Sequence, residues 1–196
     1  VATLADGPDG KPLLTVESLA DLRGWLDAAA GRPTGVWLVQ GRPGSSLLRI
    51  PSEDLVCELL CAGWIDASVR TLDEHRSLLW ISPRRRGSVW SLPNKARVAR
   101  LEAEGRLRPA GLAVIERAQA DGSWTTIDGA ERLEVPDDLA AAFAQADPGA
   151  RRTFDAFPAS ARKAALTQIA LAKTPATRAR RIAETVRRAA AGERPG

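Results

Sequence analysis

The sequence predicts an α+β fold: a small antiparallel sheet with packed helices over residues 15–130, then a C-terminal helical region over residues 131–192 packed on it. Three observations predict it. Short β-branched and aromatic runs separated by turn residues occur only in the first half, at residues 36–40, 68–72 and 77–82. Apolar residues at helical spacing, bounded by capping residues, occur along most of the chain. From Pro136 onward only the helical pattern remains.

Taken in order, residues 1–14 form a Gly/Pro-rich stretch with little to hold it. Ser18 and Asp21 stand at capping spacing, and Leu19, Leu22, Leu26 and Ala29 follow on one helical face until Gly31 stops it. Residues 36–40 read as a strand and Pro43-Gly44-Ser45 as a turn. Ser52 is placed to cap a second helix, with Glu53 and Asp54 favourable at its positive end. Leu55, Val56, Leu59 and Leu60 are its inward stripe, and Gly63 ends it. Residues 68–72 and 77–82 form a hairpin about residues 72–75, followed by a basic loop over residues 83–87. Ser91 is placed to cap a third helix that stops at Gly105. Pro109 opens a fourth, with Leu112 and Ile115 inward. Further helices start at Pro136-Asp137, Asp147-Pro148 and Ser160. Thr174-Pro175 starts the last, with Ala179, Ile182, Ala183 and Val186 as its inner stripe. The final few residues are expected to fray.

At 196 residues and 44% apolar composition the chain has material for a real core. No apolar run approaches the ~20 residues of a membrane helix. No basic cluster followed by an apolar stretch opens the N-terminus, so a cytoplasmic location is expected. Cys57 and Cys61 stand four apart on a helical face, where bridging is awkward, and are read as reduced core residues. The net charge of +4 is uneven: residues 139–196 carry +7 and residues 1–138 carry −3. Such asymmetry marks one end for an anionic partner.

The punctuation between Leu60 and Gly111 is denser than periodicity requires. Gly63-Trp64-Ile65-Asp66 is followed by Asp73, Ser82-Pro83-Arg84 and Ser88-Val89-Trp90-Ser91-Leu92-Pro93-Asn94. Arg97, Leu101, Gly105 and Pro109-Ala110-Gly111 complete it. Further on stand Ser160-Ala161-Arg162 and Thr174-Pro175-Ala176-Thr177-Arg178. Together these resemble the bacterial YdeI/OmpD-associated family of bacteriocin-protection proteins, over roughly residues 18–192. The chain departs from that pattern at Ala62 and Ile81-Ser82, where the family carries aromatics, and at the weakly basic turn Gly41-Arg42-Pro43. The resemblance implies an association with resistance to antimicrobial proteins or with envelope stress, a phenotype without a mechanism.

Trp64, Asp66, Arg84, Trp90, Ser91 and Asn94 read either as a small polar pocket walled by two indoles or as a structural network. Arg84, Arg85 and Arg86, with Trp80 and Trp90 near in sequence, read either as a nucleic-acid contact with a ring for base stacking or as a solvated hairpin end. Arg178, Arg180, Arg181, Arg187 and Arg188 read either as a docking face or as an outward face partnered by Glu184. His75, between Glu74 and Arg76 on a turn, reads as idle more readily than as part of a catalytic dyad. No Gly-x-Ser-x-Gly, phosphate loop, dinucleotide fingerprint or paired-cysteine zinc pattern is present, so neither a catalytic site, a metal site nor a cofactor is expected.

The expected function is that of a non-enzymatic, stress-associated binding protein acting through a basic helical surface. Its partner would be an anionic macromolecule, nucleic acid or acidic protein. The alternatives are a nucleic-acid-binding protein of a stress or damage response, and a small-molecule-binding protein or enzyme using the Trp/Asp/Arg group. An iron-handling chaperone ranks behind these because its acidic ridge is missing. Nothing in the sequence sets an oligomeric state.

Overall fold

Residues 1–14 are held after all. In the computed structural model, which describes residues 1–194 apart from the side chain of Pro148, they form β1 (Thr3–Asp6) and β2 (Pro12–Thr15). A 3-10 turn at Pro8–Gly10 joins them, and the Gly7 amide donates to the Lys11 carbonyl at 2.9 Å. Gly/Pro content hid this hairpin, because those residues supply its turn.

Ser18 accepts a hydrogen bond from the Asp21 amide and starts α1 (Leu19–Ala28), as its spacing predicts. α1 carries the chain across to β3 (Val36–Gly41), which lies parallel to β2. α2 (Ser52–Cys61) follows. Its cap position is Pro51, so Ser52 stands inside the first turn. β4 (Trp64–Thr71) and β5 (Arg76–Pro83) form the expected hairpin, with β4 starting four residues early. The strand order is β1-β2-β3-β5-β4. The fold class is α+β as predicted, but the sheet is mixed. The β2–β3 pair is parallel because a helix, and not a tight turn, connects those strands. Between Asp66 and Val69 the β4–β5 register slips by one residue, a β-bulge on an edge strand.

The helices after the sheet are α3 (Leu92–Ala103), α4 (Pro109–Ala120), α5 (Asp128–Glu131), α6 (Asp137–Gln145), α7 (Pro148–Ala156), α8 (Ala159–Ala170) and α9 (Pro175–Ala190). The chain divides into two compact units: Val1–Ser88 with Pro93–Asp121, and Val89–Leu92 with Gly122–Gly196.

In the first unit one sheet face, through Leu14, Leu38, Leu79 and Ile81, packs on Leu22 and Leu26 of α1 and Leu55 and Leu59 of α2. Each such fully buried side chain contributes roughly 1.5–3 kcal/mol. The opposite face carries Trp37, Val39 and Leu78 with Leu13, Leu72 and Trp80 against them. α4 meets the end of α2 closely. Gly63 has φ 76°, and a Cβ on it would stand 2.9 Å from the Ala110 carbonyl oxygen. A Cβ on Gly111 would collide with the Cys61 carbonyl. Ile115 points inward, whereas Leu112, expected inward, is exposed.

The second unit is helical. Phe143 of α6 and Phe154 of α7 meet at 5.3 Å between ring centroids, among Leu139, Leu166, Ile169 and Ile182. Asp147 accepts from the Gly149 amide, and Thr174 from the Thr177 amide, so both expected caps form. The buried stripe of α9 is Ile182, Thr185 and Ala189, with Val186 partly covered. Ala179 and Ala183, expected inward, are exposed. Thr185 tolerates burial because its hydroxyl donates to the Arg181 carbonyl at 2.8 Å. The expected fraying concerns in part Pro195 and Gly196, which lie outside the described residues.

Candidate functional site

The Trp/Asp/Arg group is divided between the units. Trp64, Asp66, Arg84 and Asn94 belong to the first, Trp90 and Ser91 to the second. Trp64 is a core residue at 2% exposure, its ring edge-on to Trp25 at 5.4 Å. Arg84 is 4% exposed. Burial lowers its pKa to about 10, against the charge of Asp66, which raises it. Its amide donates to the Gly63 carbonyl at 2.9 Å, and its carbonyl accepts from the Arg117 guanidinium at 3.2 Å. Asn94 accepts from Arg97 at 3.0 Å. In the second unit Trp90 is buried with its ring 4.9 Å from that of Trp124. Of these residues Asp66 opens onto a cleft. The cleft measures about 380 Å³, and its other lining includes Gln40, Arg42, Arg49 and Ser52.

α2 holds a charged network that the apolar periodicity conceals. Glu58, 1% exposed, accepts from Arg23 at 2.6 and 3.1 Å, from Arg106 at 3.2 Å and from Arg108. Burial pushes its carboxyl up, but the hydrogen bonds and charges of these arginines outweigh that and hold it below the ordinary value. One turn before, Glu53 takes Arg97 at 2.7 Å and Arg100 at 2.8 Å, whose hydrogen bonds lower its pKa to about 2. Cys57 and Cys61 are buried free thiols, raised first by desolvation. The Arg100 guanidinium lies 3.2 Å from the Cys57 sulfur. His75 is exposed on its turn, 3.3 Å from Glu74. Among the described residues no group of three or more His, Cys, Asp and Glu is placed to hold a metal.

The C-terminal arginines fall into two sets. Arg178 forms a two-pronged pair with Asp138 at 2.6 and 2.8 Å and donates to the Ile169 carbonyl at 3.2 Å. Arg187 and Arg188 share Glu184 at 2.8 and 2.7 Å, which lowers that carboxyl to about 2. Arg181 caps the carbonyl of Gln168. Arg180 has no carboxylate or carbonyl partner among the described residues. Arg180, Arg181 and Arg188 line a groove of about 420 Å³ between α8 and α9, with Ala165, Gln168, Glu184 and Thr185. In the basic loop, Arg86 stands 3.8 Å from Asp121, and Arg85 is exposed with no carboxylate partner among the described residues.

The charge asymmetry shrinks when the units replace the arbitrary boundary at residue 139. The second unit carries twelve Lys and Arg against nine Asp and Glu, and the first sixteen against fifteen. Asp128, Glu131, Glu134, Asp137 and Asp138 precede residue 139 but belong with the helices. Asp138 is the partner of Arg178.

A mixed-sheet α+β unit followed in sequence by an all-helical unit, each with an open cationic cleft, defines the class of the molecule. The chain belongs to the family described as a domain of unknown function (DUF8412), whose model matches residues 14–114, a little over half of it. Residues 132–192 match the family described as Bacteriocin-protection, YdeI or OmpD-Associated. The YdeI/OmpD-associated resemblance therefore stands over the C-terminal helices, while the motif-bearing segment from Gly63 to Gly111 falls within the first match. No curated protein and no solved structure matches the chain. Among the described residues no helix is long and apolar enough to cross a membrane.

Proposed function

We propose that the protein is a non-enzymatic binding protein of stress resistance, as the bacteriocin-protection family suggests, and that the α8–α9 groove receives an acidic segment of a partner protein. The groove itself supports this reading: three guanidinium groups, Arg180, Arg181 and Arg188, surround a floor of Ala165 and Thr185, with Glu184 as the acid present. A carboxylate entering there meets Arg180 without displacing a carboxylate partner.

An acidic segment suits the groove better than a nucleic acid. A continuous phosphate backbone needs a long unneutralised cationic stripe. Arg178, Arg187 and Arg188 are paired with Asp138 and Glu184, which breaks such a stripe.

The test is calorimetric titration of the full chain with an octaglutamate peptide and, separately, with duplex DNA, across a salt series. The expected result is peptide binding that weakens with salt and falls about tenfold in Arg180→Glu. No peptide binding at low salt, affinity unchanged in Arg180→Glu, or DNA bound more tightly than the peptide, would overturn the reading.

A further inference from the structure

The Trp37 and Trp80 face of the sheet in the first unit carries a second cleft, of about 310 Å³. Its lining is Gly10, Lys11 and Pro12 from the β1–β2 turn, Pro33, Thr34 and Gly35 before β3, Trp80, Ser82 and Pro83 of β5, and Arg85 beyond it. Four properties distinguish it. No carboxylate lines it, although the chain has 24 Asp and Glu. Two of its residues, Lys11 and Arg85, are exposed cations with no carboxylate partner among the described residues. One wall is the half-exposed indole of Trp80, braced edge-on by Trp37 at 5.1 Å between centroids. Three prolines and two hydroxyls, Thr34 and Ser82, complete it.

Gly35 fixes the ring in place. A Cβ there would lie 2.6 Å from the Trp80 ring and 2.8 Å from the Ser82 Cβ, so the indole rests directly on backbone. The cations already use the aromatic surface. The Lys11 ammonium is 4.7 Å from the Trp80 centroid, and the Arg70 guanidinium 4.6 Å from that of Trp37. Arg70 is held at 2.7 Å by Asp9, whereas Lys11, on a flexible four-carbon stem, faces the Trp80 ring and more distantly that of Trp37 at 6.0 Å, with no carboxylate partner among the described residues. An incoming aromatic group can take the ring, and Lys11 can turn to its anion.

A flat π-surface, apolar proline walls and two exposed cations without a carboxylate in the lining are the chemistry that takes a planar heteroaromatic ring bearing a phosphate. We infer that this cleft is a nucleotide site: the base lies on Trp80 among the prolines, and the phosphate is held between Lys11 and Arg85. Thr34 and Ser82 offer hydrogen bonds to the base edge or sugar. The ligand is either a free mononucleotide or one residue of a single strand, since both present the same groups. The cleft is at the small end for ligand sites, enough for one nucleotide.

The experiment is titration of the full chain at low salt with adenosine 5′-monophosphate, adenosine, inorganic phosphate and a twelve-residue single-stranded oligonucleotide. The readout is the Trp80 indole N–H resonance, assigned by its loss in Trp80→Phe. The expected result is a Trp80 shift with the monophosphate, a weaker response to adenosine and none to phosphate alone. Lys11→Ala and Arg85→Ala, at exposed positions that leave the fold intact, each weaken the monophosphate about fivefold or more. A strand bound more tightly than the monophosphate, with a steep salt dependence, assigns the site to single-stranded nucleic acid; equal affinities assign it to the free nucleotide. The inference is overturned if millimolar monophosphate and the strand both leave the Trp80 resonance unmoved, or if Lys11→Ala and Arg85→Ala bind as the parent does.

Discussion

Removing the Glu58 carboxylate would leave Arg23, Arg106 and Arg108 facing one another with no central anion. Glu58→Ala is expected to destabilise the first unit by about 2–3 kcal/mol, measured by urea unfolding. That lies below the ~3–5 kcal/mol of a wholly buried pair because the Arg23 and Arg106 side chains are half open to water. Nothing in the sequence singled out this carboxylate. An acid in Cys57-Glu58-Leu59-Leu60 reads as the outward residue of an apolar stripe, and its three partners lie 35, 48 and 50 positions away. Trp64 and Asp66 were legible as unusual residues in a tight loop, but their roles differ. Trp64 fills the core, while Asp66 reaches a cleft whose arginines, Arg42 and Arg49, carried no recognisable spacing.

At the scale of elements, Gly63 and Gly111 explain why two distant motifs occur together: they are the two sides of one close approach between the end of α2 and the start of α4. Gly111→Ala is expected to force α4 outward and cost about 1–3 kcal/mol of stability, seen as a lowered urea midpoint. Ala110→Ser, at the neighbouring position, serves as the comparison and should cost less. Three helix starts were legible because they are chemical: Ser18, Asp147 and Thr174 each accept the amide bond their position predicts, whereas Ser52, read as a cap, stands behind Pro51 in the first turn of α2. β1 and β2 were not, because Pro8, Gly10 and Pro12 read as loop and the pairing that holds them comes from Thr15, Leu14 and Leu13 across the turn. The parallel β2–β3 contact was lost with them. α5, four residues long, has too few positions to display a period. The stripe of α9 was misread because Ala179 and Ala183 look apolar, whereas Thr185 becomes buriable only once its hydroxyl finds the Arg181 carbonyl.

For the molecule as a whole, the depressed carboxylates set the acid limit. Glu53 and Glu58 in the first unit, and Asp138 and Glu184 in the second, all have folded pKa values below their unfolded ones. The unfolded chain therefore binds protons more readily, and the stability these groups supply is complete above about pH 4.5 and declines as pH falls toward 2. Only Glu58 among them is buried, so hydrogen exchange on an acid series should find the first unit opening at higher pH than the second. A uniform loss of protection in both units would contradict this assignment. The edge of the sheet bears on the molecule's behaviour in company. β4 ends the sheet with Val69 69% exposed, an invitation for a neighbouring chain to add a strand. The extra residue between Asp66 and Val69 throws the outward amides and carbonyls of β4 out of step there, so a strand arriving along this edge finds no continuous ladder to share.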